Sequence, residues 1–221
     1  MVELENKYKI GVRRFGLINW VGAFSLYKKE VLRFIIVSGQ TLLGPILTSI
    51  LFLVVISLAI GDERSDVLGV PYIEFLANGL IMMQVIQQSF SHSSSSLMMS
   101  KMMGTIIDIV NSPLSAAEVT ISLVLASITR GLCIASISTF IFIIFLDLNV
   151  QNYFLWFLYL FLAGFFLGSA GIIAGLYADK FDQMATVTNF VIVPLSFLSG
   201  TFYSIEKLPD ILKSLSYYNP F

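Results

Sequence analysis

Charge is scarce in this chain of 221 residues: 13 basic and 14 acidic side chains make up 12% of it, about half the share of an ordinary soluble domain. That excludes a water-soluble globule. A hydrophobic content of 57% and a mean hydropathy of +0.86 exclude a disordered segment too, since disorder needs low hydrophobicity and high net charge. The formal charge is −1, so no basic field marks a binder of nucleic acid. A single cysteine, Cys133, excludes an intrachain disulfide framework and a cysteine-rich metal site. His92 is the only histidine, and Asp108, Glu118, Asp147, Asp179 and Asp182 are scattered at segment ends, so no metal ligand set is expected. No G-x-x-x-x-G-K-[ST] phosphate loop occurs. What is present instead is long apolar sequence, and it implies a membrane protein.

Met1 to Arg14 is polar, with Lys7, Lys9, Arg13 and Arg14 spread among Glu3, Glu5 and Asn6. It lacks the apolar core and small-residue site of a cleaved signal and is not expected to be one. From Phe15 to Arg33, Leu17, Trp20, Phe24, Tyr27, Val31 and Phe34 recur at alternating spacings of three and four, one face of a helix. Asn19, Gly22, Ser25, Lys29 and Arg33 fall opposite. An aromatic stripe facing a basic one predicts a helix lying in the headgroup layer, with a soluble helix covering a partner domain as the other reading.

A spanning helix needs about 20 mostly apolar residues. Val37–Ile60 runs uncharged and is followed by the polar Gly61–Asp66; further spans are expected over about 72–97, 119–146, 153–178 and 184–203, the last breaking up near Pro194 to Gly200. Residues 1–36 then form an N-terminal segment with its interfacial helix, and 37–221 a transmembrane domain. Lys7, Lys9, Arg13, Arg14, Lys28, Lys29, Arg33, Lys101 and Lys180 fall on one side of the bilayer, against Arg64, Lys207 and Lys213 on the other. Nine against three places the N-terminus and the 98–118 segment in the cytoplasm of a multi-pass cell-membrane protein.

The second span is unusually polar. Gln84, Gln88, Ser91 and Ser95 recur at spacings of four, three and four, so one face must meet other helices or a wet cavity. Lining a translocation path and making interhelical hydrogen bonds are both open for that face. His92 reads as a satisfied polar-face histidine, with no carboxylate evident at its depth. Arg130, well inside the third span, must face inward and pair with a carboxylate or with backbone carbonyls, Glu74 being one candidate. In the fourth span Gly164, Gly168, Gly171 and Gly175 form overlapping small-xxx-small patterns, a signal for close helix packing within one chain or between two.

Between the second and third spans, Thr105 and Asp108 read as a helix start and Asn111-Ser112-Pro113 as its stop. Ser115 and Glu118 form an S-x-x-E capping box for the next helix. A short apolar rod is thus predicted crosswise on the cytoplasmic side, offering Ile106, Ile107, Ile109 and Val110 to a partner.

These residues carry a resemblance. Gly104-Thr105…Asp108…Pro113-Leu114-Ser115…Glu118 resembles the coupling-helix region of type-2 ABC exporter permeases. Pro194-Leu195-Ser196-Phe197-Leu198-Ser199-Gly200-Thr201-Phe202-Tyr203, then Leu208-Pro209, then Tyr217-Tyr218-Asn219-Pro220-Phe221, is similar to the family's fifth span, re-entrant outer segment and Asn-Pro signature. The likeness covers nearly the whole chain. It implies an all-α integral membrane protein: an interfacial helix, five spans, a coupling helix between spans two and three, and a re-entrant segment after span five. The family's sixth span would follow Phe221, so the chain is expected to be a truncated copy or fragment. The resemblance further implies a non-enzymatic subunit that binds no cofactor itself, pairs with a second permease, identical or related, and works with two cytoplasmic ATPase subunits that hold ATP and Mg. Gly104, Thr105, Ile106, Ile107, Asp108, Ile109, Val110 and Pro113 would form the part gripped by the ATPase. A lipid-like, glycolipid or drug-like substrate would leave the inner leaflet past Gln84, Gln88, Ser91 and Ser95. Two rivals compete. A secondary transporter would want inverted repeats, and none is visible. An intramembrane hydrolase built on Gly168-Ser169-Ala170-Gly171 and His92 lacks the G-x-S-x-G arrangement and an orienting third group.

Overall fold

The computed structural model describes residues 18–60, 66–67, 69–146, 148, 150, 152–203 and 208–219. Among them regular structure is helical, apart from one isolated bridge between Val67 and Val70. In chain order the helices are α1 Trp20–Ile36, α2 Gly44–Ile60, α3 Tyr72–Met102, α4 Ile106–Val110, α5 Ala116–Leu146, α6 Tyr153–Tyr177, α7 Phe181–Val187, α8 Val193–Leu198 and α9 Asp210–Tyr217. Two π-helical stretches, Gly39–Leu43 and Thr188–Ile192, lead into α2 and α8.

Four stretches are long and apolar enough to cross a membrane: Gly39–Ala59, Ala116–Leu146, Tyr153–Tyr177 and Phe181–Leu198. Their bounds fall within a few residues of four of the five expected spans. The other expected span is α3, whose 31 residues reach about 46 Å at ~1.5 Å each. Asn78, Gln84, Gln87, Gln88 and the serines of 89–100 dilute its hydropathy. α3 escapes lipid by lying at the centre of the bundle, packed most extensively against α6 and α5. Its polar atoms therefore meet protein, as a medium that cannot hydrogen-bond demands.

The serines and the glycine stripe explain one another. A methyl group placed on Gly168 would lie 2.2 Å from Ser127 Oγ, and on Gly171 only 2.5 Å from the Phe90 carbonyl oxygen; Gly175 and Gly164 stand 3.0–3.3 Å from Ser94, Ile128 and Ser89 atoms by the same construction. So the four glycines of α6 pack inside this chain, on α3 and α5. Ser93 Oγ donates across the gap to the Gly168 carbonyl at 2.7 Å, and Ser89 Oγ to the Ser127 carbonyl at 3.3 Å. Small residues let the backbones approach, and the approach makes the hydrogen bonds short enough to satisfy buried hydroxyls. Gly171→Ala is therefore expected to destabilise the fold by about 1–3 kcal/mol, the usual cost of overpacking. Gly44→Ala, which meets nothing within 4 Å, is expected to be neutral or mildly stabilising. Thermal unfolding of the two variants in detergent checks the contrast.

One expectation is narrowed and another changes. The break expected around Pro194 to Gly200 comes at the far end of that stretch: the helix runs on to Leu198, because Pro194 sits in the first turn of α8, where no donor is needed, and the preceding π stretch absorbs the ring. Only then does the chain turn back, at Gly200 with φ +83°, so that Thr201 packs its carbonyl against Gly79 of α3. Residues 204–207, with Lys207, lie outside the described part, as do Arg64, Asp147, Pro220, Phe221 and residues 1–17. The change concerns α1. Its buried residues are Leu26, Glu30 and Phe34, while Trp20 and Phe24 of the aromatic stripe are exposed and Tyr27 and Val31 half-buried. The bundle, not water, lies on one side of α1, so its sides are divided by packing and by the one carboxylate it hides.

Candidate functional site

The sequence from Ser100 to Ser122 makes a compact corner where α3 ends and α5 begins. Gly104 adopts φ +73°, a conformation open to glycine and strained for other side chains, and redirects the chain into α4. α4 is a rod of five residues, Ile106–Val110, with Asp108 in its first turn. The helix starts where expected, just after Thr105, but the Thr105 side chain does not cap it: its hydroxyl reaches back to the Ser100 carbonyl at 3.5 Å. The capping box of α5 forms as expected. Ser115 N–H donates to Glu118 Oε2 at 2.7 Å and Glu118 N–H to Ser115 Oγ at 3.3 Å.

Glu118 also accepts from the Asn19 backbone N–H, which couples this corner to α1. Asn19 is the hinge pin: its Oδ1 caps α1 by accepting from Gly22 N–H at 3.0 Å, and its Nδ2 donates to the Pro113 carbonyl at 3.0 Å. Gly22 leaves room for Leu114 against the same turn. Ser122 Oγ donates to the Ala23 carbonyl at 3.0 Å and Tyr27 shares a hydrogen bond with Thr129 at 2.9 Å. α1, the exit of α4 and the first turns of α5 are thus one hydrogen-bonded unit.

The aliphatic residues of α4 divide. Ile106 and Ile109 turn toward α5 and α6 and line an apolar groove of about 370 Å³ with Leu97, Leu114 and Ile172. Ile107 points away and is 61% exposed, beside the exposed Met103, while Val110 stands at the groove's rim and is 75% exposed. At the same end, Lys101 Nζ donates to the Leu176 and Ala178 carbonyls, closing the C-terminus of α6 with a cation where the helix dipole favours one.

Gln84 and Gln88 come together in a second place. A cleft of about 340 Å³ opens between α2, α3 and α8, lined by Pro45, Ser49, Phe52, Gln84, Gln87, Gln88, Phe197 and Phe202 among others. Ser91 and Ser95 are not part of it; Ser95 Oγ bonds to the His92 carbonyl at 3.1 Å within the same helix. Gln84 is tied on three sides, donating to the Pro45 carbonyl at 2.7 Å and to Ser49 Oγ, and accepting from Ser138 Oγ at 3.4 Å. Gln88 Oε1 accepts from Arg130 Nη2. The same guanidinium reaches the Thr41 carbonyl at 3.4 Å, an oxygen for which Pro45 has no N–H to offer. Arg130 is accordingly held by an amide and a carbonyl, and Glu74 plays no part in these bonds. Gln87 has no hydrogen-bond partner among the described residues, so its amide is free to face whatever enters the cleft. Phe197 stacks on Phe202 at 5.1 Å between centroids, and Phe52 packs on Phe202 at 5.2 Å, giving the cleft an aromatic wall opposite its amides.

The carboxylate that His92 lacks in sequence arrives from α1. Glu30 is 1% exposed; its Oε2 accepts from Ser96 Oγ at 2.7 Å, lies 3.0 Å from Arg33 Nε and stands 4.0 Å from His92 Nε2. Arg33 Nη2 continues to the His92 carbonyl at 3.3 Å, and Phe34 meets the imidazole edge-on at 5.6 Å. Sequence reasoning misses Glu30 because Lys28, Lys29 and Arg33 around it read as a solvated basic face. Ser169 Oγ bonds to the Phe165 carbonyl at 2.8 Å and the His92 ring nitrogens carry no hydrogen bond, so no nucleophile–base pair joins them. Among the described residues no group of three or more His, Cys, Asp or Glu is placed to hold a metal.

Comparison with known proteins settles the class. Residues 22–221 match the family model described as ABC-2 type transporter. The chain belongs to the ABC-2 type transporter family. It is 32% identical over 201 residues to the inner membrane transport permease YadH of Escherichia coli K12, the match covering 91% of this chain and 78% of that protein. YadH of Escherichia coli O157:H7 and of Shigella flexneri match to the same extent. The chain is therefore an ABC-2 permease, a membrane-integral transport subunit. ABC-2 permeases normally work with an ATPase subunit.

Proposed function

We propose that this permease moves a lipid-like, glycolipid or drug-like amphipathic molecule out of the cell, driven by ATP hydrolysed on two copies of a separate subunit, and that it does so as a homo- or heterodimer of permeases. The observation that carries the reading is the exposed pair Ile107 and Val110 on a rod hydrogen-bonded, through its exit turn, to both α1 and α5. A cytoplasmic ATPase that grips this pair gains a rigid lever: a displacement of α4 is passed by Asn19 and Glu118 to α1 and to the start of α5. The chain crosses the membrane five times in this reading, α3 included, with its N-terminus in the cytoplasm.

The cleft between α2, α3 and α8 is the path we assign to the cargo. Its phenyl rings suit an apolar chain or ring system, and the Gln87 amide suits a polar head, at the depth where α3 would otherwise have no reason to expose an unpaired amide. Gln84 and Gln88 belong to the wall, since their amides are already tied to Pro45, Ser49, Ser138 and Arg130. Two variants separate the roles. Gln87→Leu is expected to change transport of amphipathic dyes from proteoliposomes several-fold while protein yield stays constant. Gln84→Leu leaves buried partners unsatisfied at about 1–3 kcal/mol and is expected to lower the yield of folded protein first. Unchanged transport by Gln87→Leu across cargo classes removes the cleft from the path.

A further inference from the structure

We propose that the outward side of α1 is a headgroup site for an anionic phospholipid. α1 carries four charged residues, Lys28, Lys29, Glu30 and Arg33. The single acid among them is withdrawn: Glu30 is buried against Ser96 and paired with Arg33. Its burial leaves an exposed surface of one sign. Lys28 and Lys29 have no partner among the described residues, and they line a shallow groove of about 580 Å³ together with Ser25, Leu32, Arg33 and Ile36. Leu32, Ile35, Ile36, Val21 and Phe24 are exposed on the same helix.

The pairing of chemistries identifies the occupant. Two free ammonium groups and part of a guanidinium complement a phosphate, the Ser25 hydroxyl being spent on the Val21 carbonyl at 2.7 Å; the aliphatic side chains between them complement the first methylenes of acyl chains. A soluble anion would satisfy only the first set, and a neutral lipid only the second. The long lysine stems can lie along the apolar residues while the ammonium groups reach the phosphate plane. The juxtaposition of unpaired cations with bare aliphatics on a helix whose only acid is hidden is what assigns an anionic lipid. Electrostatic attraction of this kind contributes about 1 kcal/mol per lysine, roughly a fivefold preference each.

Trp20, 73% exposed in the first turn of α1, is a reporter built into the same helix. Replacing the other tryptophan, Trp156→Phe, leaves it alone in the full chain. Reconstituted in phosphatidylcholine vesicles, the protein is titrated with brominated phosphatidylglycerol or brominated phosphatidylcholine, and quenching of Trp20 is read. The expected result is a preference for the anionic lipid of roughly fivefold or more. Lys28→Gln with Lys29→Gln, both at exposed positions that leave the packed face intact, is expected to bring the preference to unity, and so is raising the salt concentration several-fold. Lys180→Gln with Lys213→Gln is expected to leave it unchanged. Equal quenching by both lipids in the parent protein overturns the site, and so does a preference that survives loss of both lysines. A preference lost equally in the control pair moves it elsewhere. Competition by sodium phosphate beyond that of sodium chloride at equal ionic strength shows a site for the free anion and overturns the lipid assignment.

Discussion

Replacing Ile107 and Val110 together by aspartate is expected to abolish recovery of the ATPase with the permease while the permease itself still inserts and folds. Both side chains are more than half exposed, so the substitutions add charge where the isolated chain has water, and surface changes of that kind stay within about 0.5 kcal/mol of neutral. In a complex the same positions would be desolvated. A buried aliphatic anchor contributes about 2 kcal/mol or more, and two together amount to roughly a thousandfold in affinity before the cost of desolvating the new carboxylates is added. Ile106 and Ile109 are the informative contrast. They are half-buried and line the groove against α5 and α6, so their replacement acts on folding before it acts on association. Affinity purification of tagged permease from membranes, with the ATPase quantified in the eluate, reads the first effect; detergent stability reads the second.

The second large effect is at Glu30. Glu30→Ala removes the acceptor of Ser96, the counter-ion of Arg33 and the one carboxylate beside His92 at once. Removing one member of a buried pair costs about 3–5 kcal/mol. Because Arg33 keeps a third of its side chain in contact with the surroundings, at 33% exposed, the lower end applies. At about 2–4 °C per kcal/mol for a chain of this size, the midpoint of thermal unfolding in detergent is expected to fall by roughly 10 °C. Lys29→Ala, one residue away and exposed, is expected to shift it by no more than a degree or two. Glu30→Gln keeps an acceptor for Ser96 and is expected to lose less. A double-mutant cycle with Ser96→Ala isolates the hydrogen bond, since the Ser96 hydroxyl is spent on Glu30. The functional corollary belongs to the same account: if α1 carries motion from α4 to α3, uncoupling at Glu30 lowers ATP-driven transport more than it lowers basal ATP hydrolysis.

Some of this was legible in the residues and some was not. Long uncharged runs declare themselves because length and hydropathy are local properties, and the helices over 39–59, 116–146, 153–177 and 181–198 fall near the expected positions. The Ser115–Glu118 box was readable for the same reason: two side chains three residues apart satisfy each other's backbone donors wherever they occur. The spacing of Gly164, Gly168, Gly171 and Gly175 announced close packing, yet only the fold says that the partners are Ser89, Ser93, Ser94 and Ser127 of the same chain. The polar stripe of α3 was visible as a stripe, but its division was not. Gln84 and Gln88 are consumed by the Pro45 region and Arg130, Gln87 faces the cleft, and Ser95 turns back onto its own helix. Periodicity reports which residues share a face and not what stands opposite it.

Glu30 escapes a reading of the sequence altogether, whereas at Thr105 the helix start is legible and only the missing side-chain cap is not. Glu30 sits among lysines, where local charge pattern reads as solvent, and is buried only because His92 and Ser96 arrive from a distant helix. Thr105 has the residue type of a cap but not the backbone for one, since it follows the left-handed turn at Gly104 and its hydroxyl finds the Ser100 carbonyl first. Asn19 lay on the face read as polar and solvated, whereas its amide caps α1 and holds the turn after α4 at the same time. For Glu30 and Asn19 the deciding neighbour is far away in sequence.

The most direct test is site-specific crosslinking at position 107. With Cys133→Ser as background and Ile107→Cys as the single thiol, a short crosslinker applied to native membranes is expected to join the permease to an ATPase subunit that carries Walker motifs, and ATP is expected to change the yield. The same thiol is expected to resist a membrane-impermeant reagent added from outside intact cells. Labelling of position 107 from outside, or a crosslink that forms with no nucleotide-hydrolysing subunit and ignores ATP, contradicts the account at its centre.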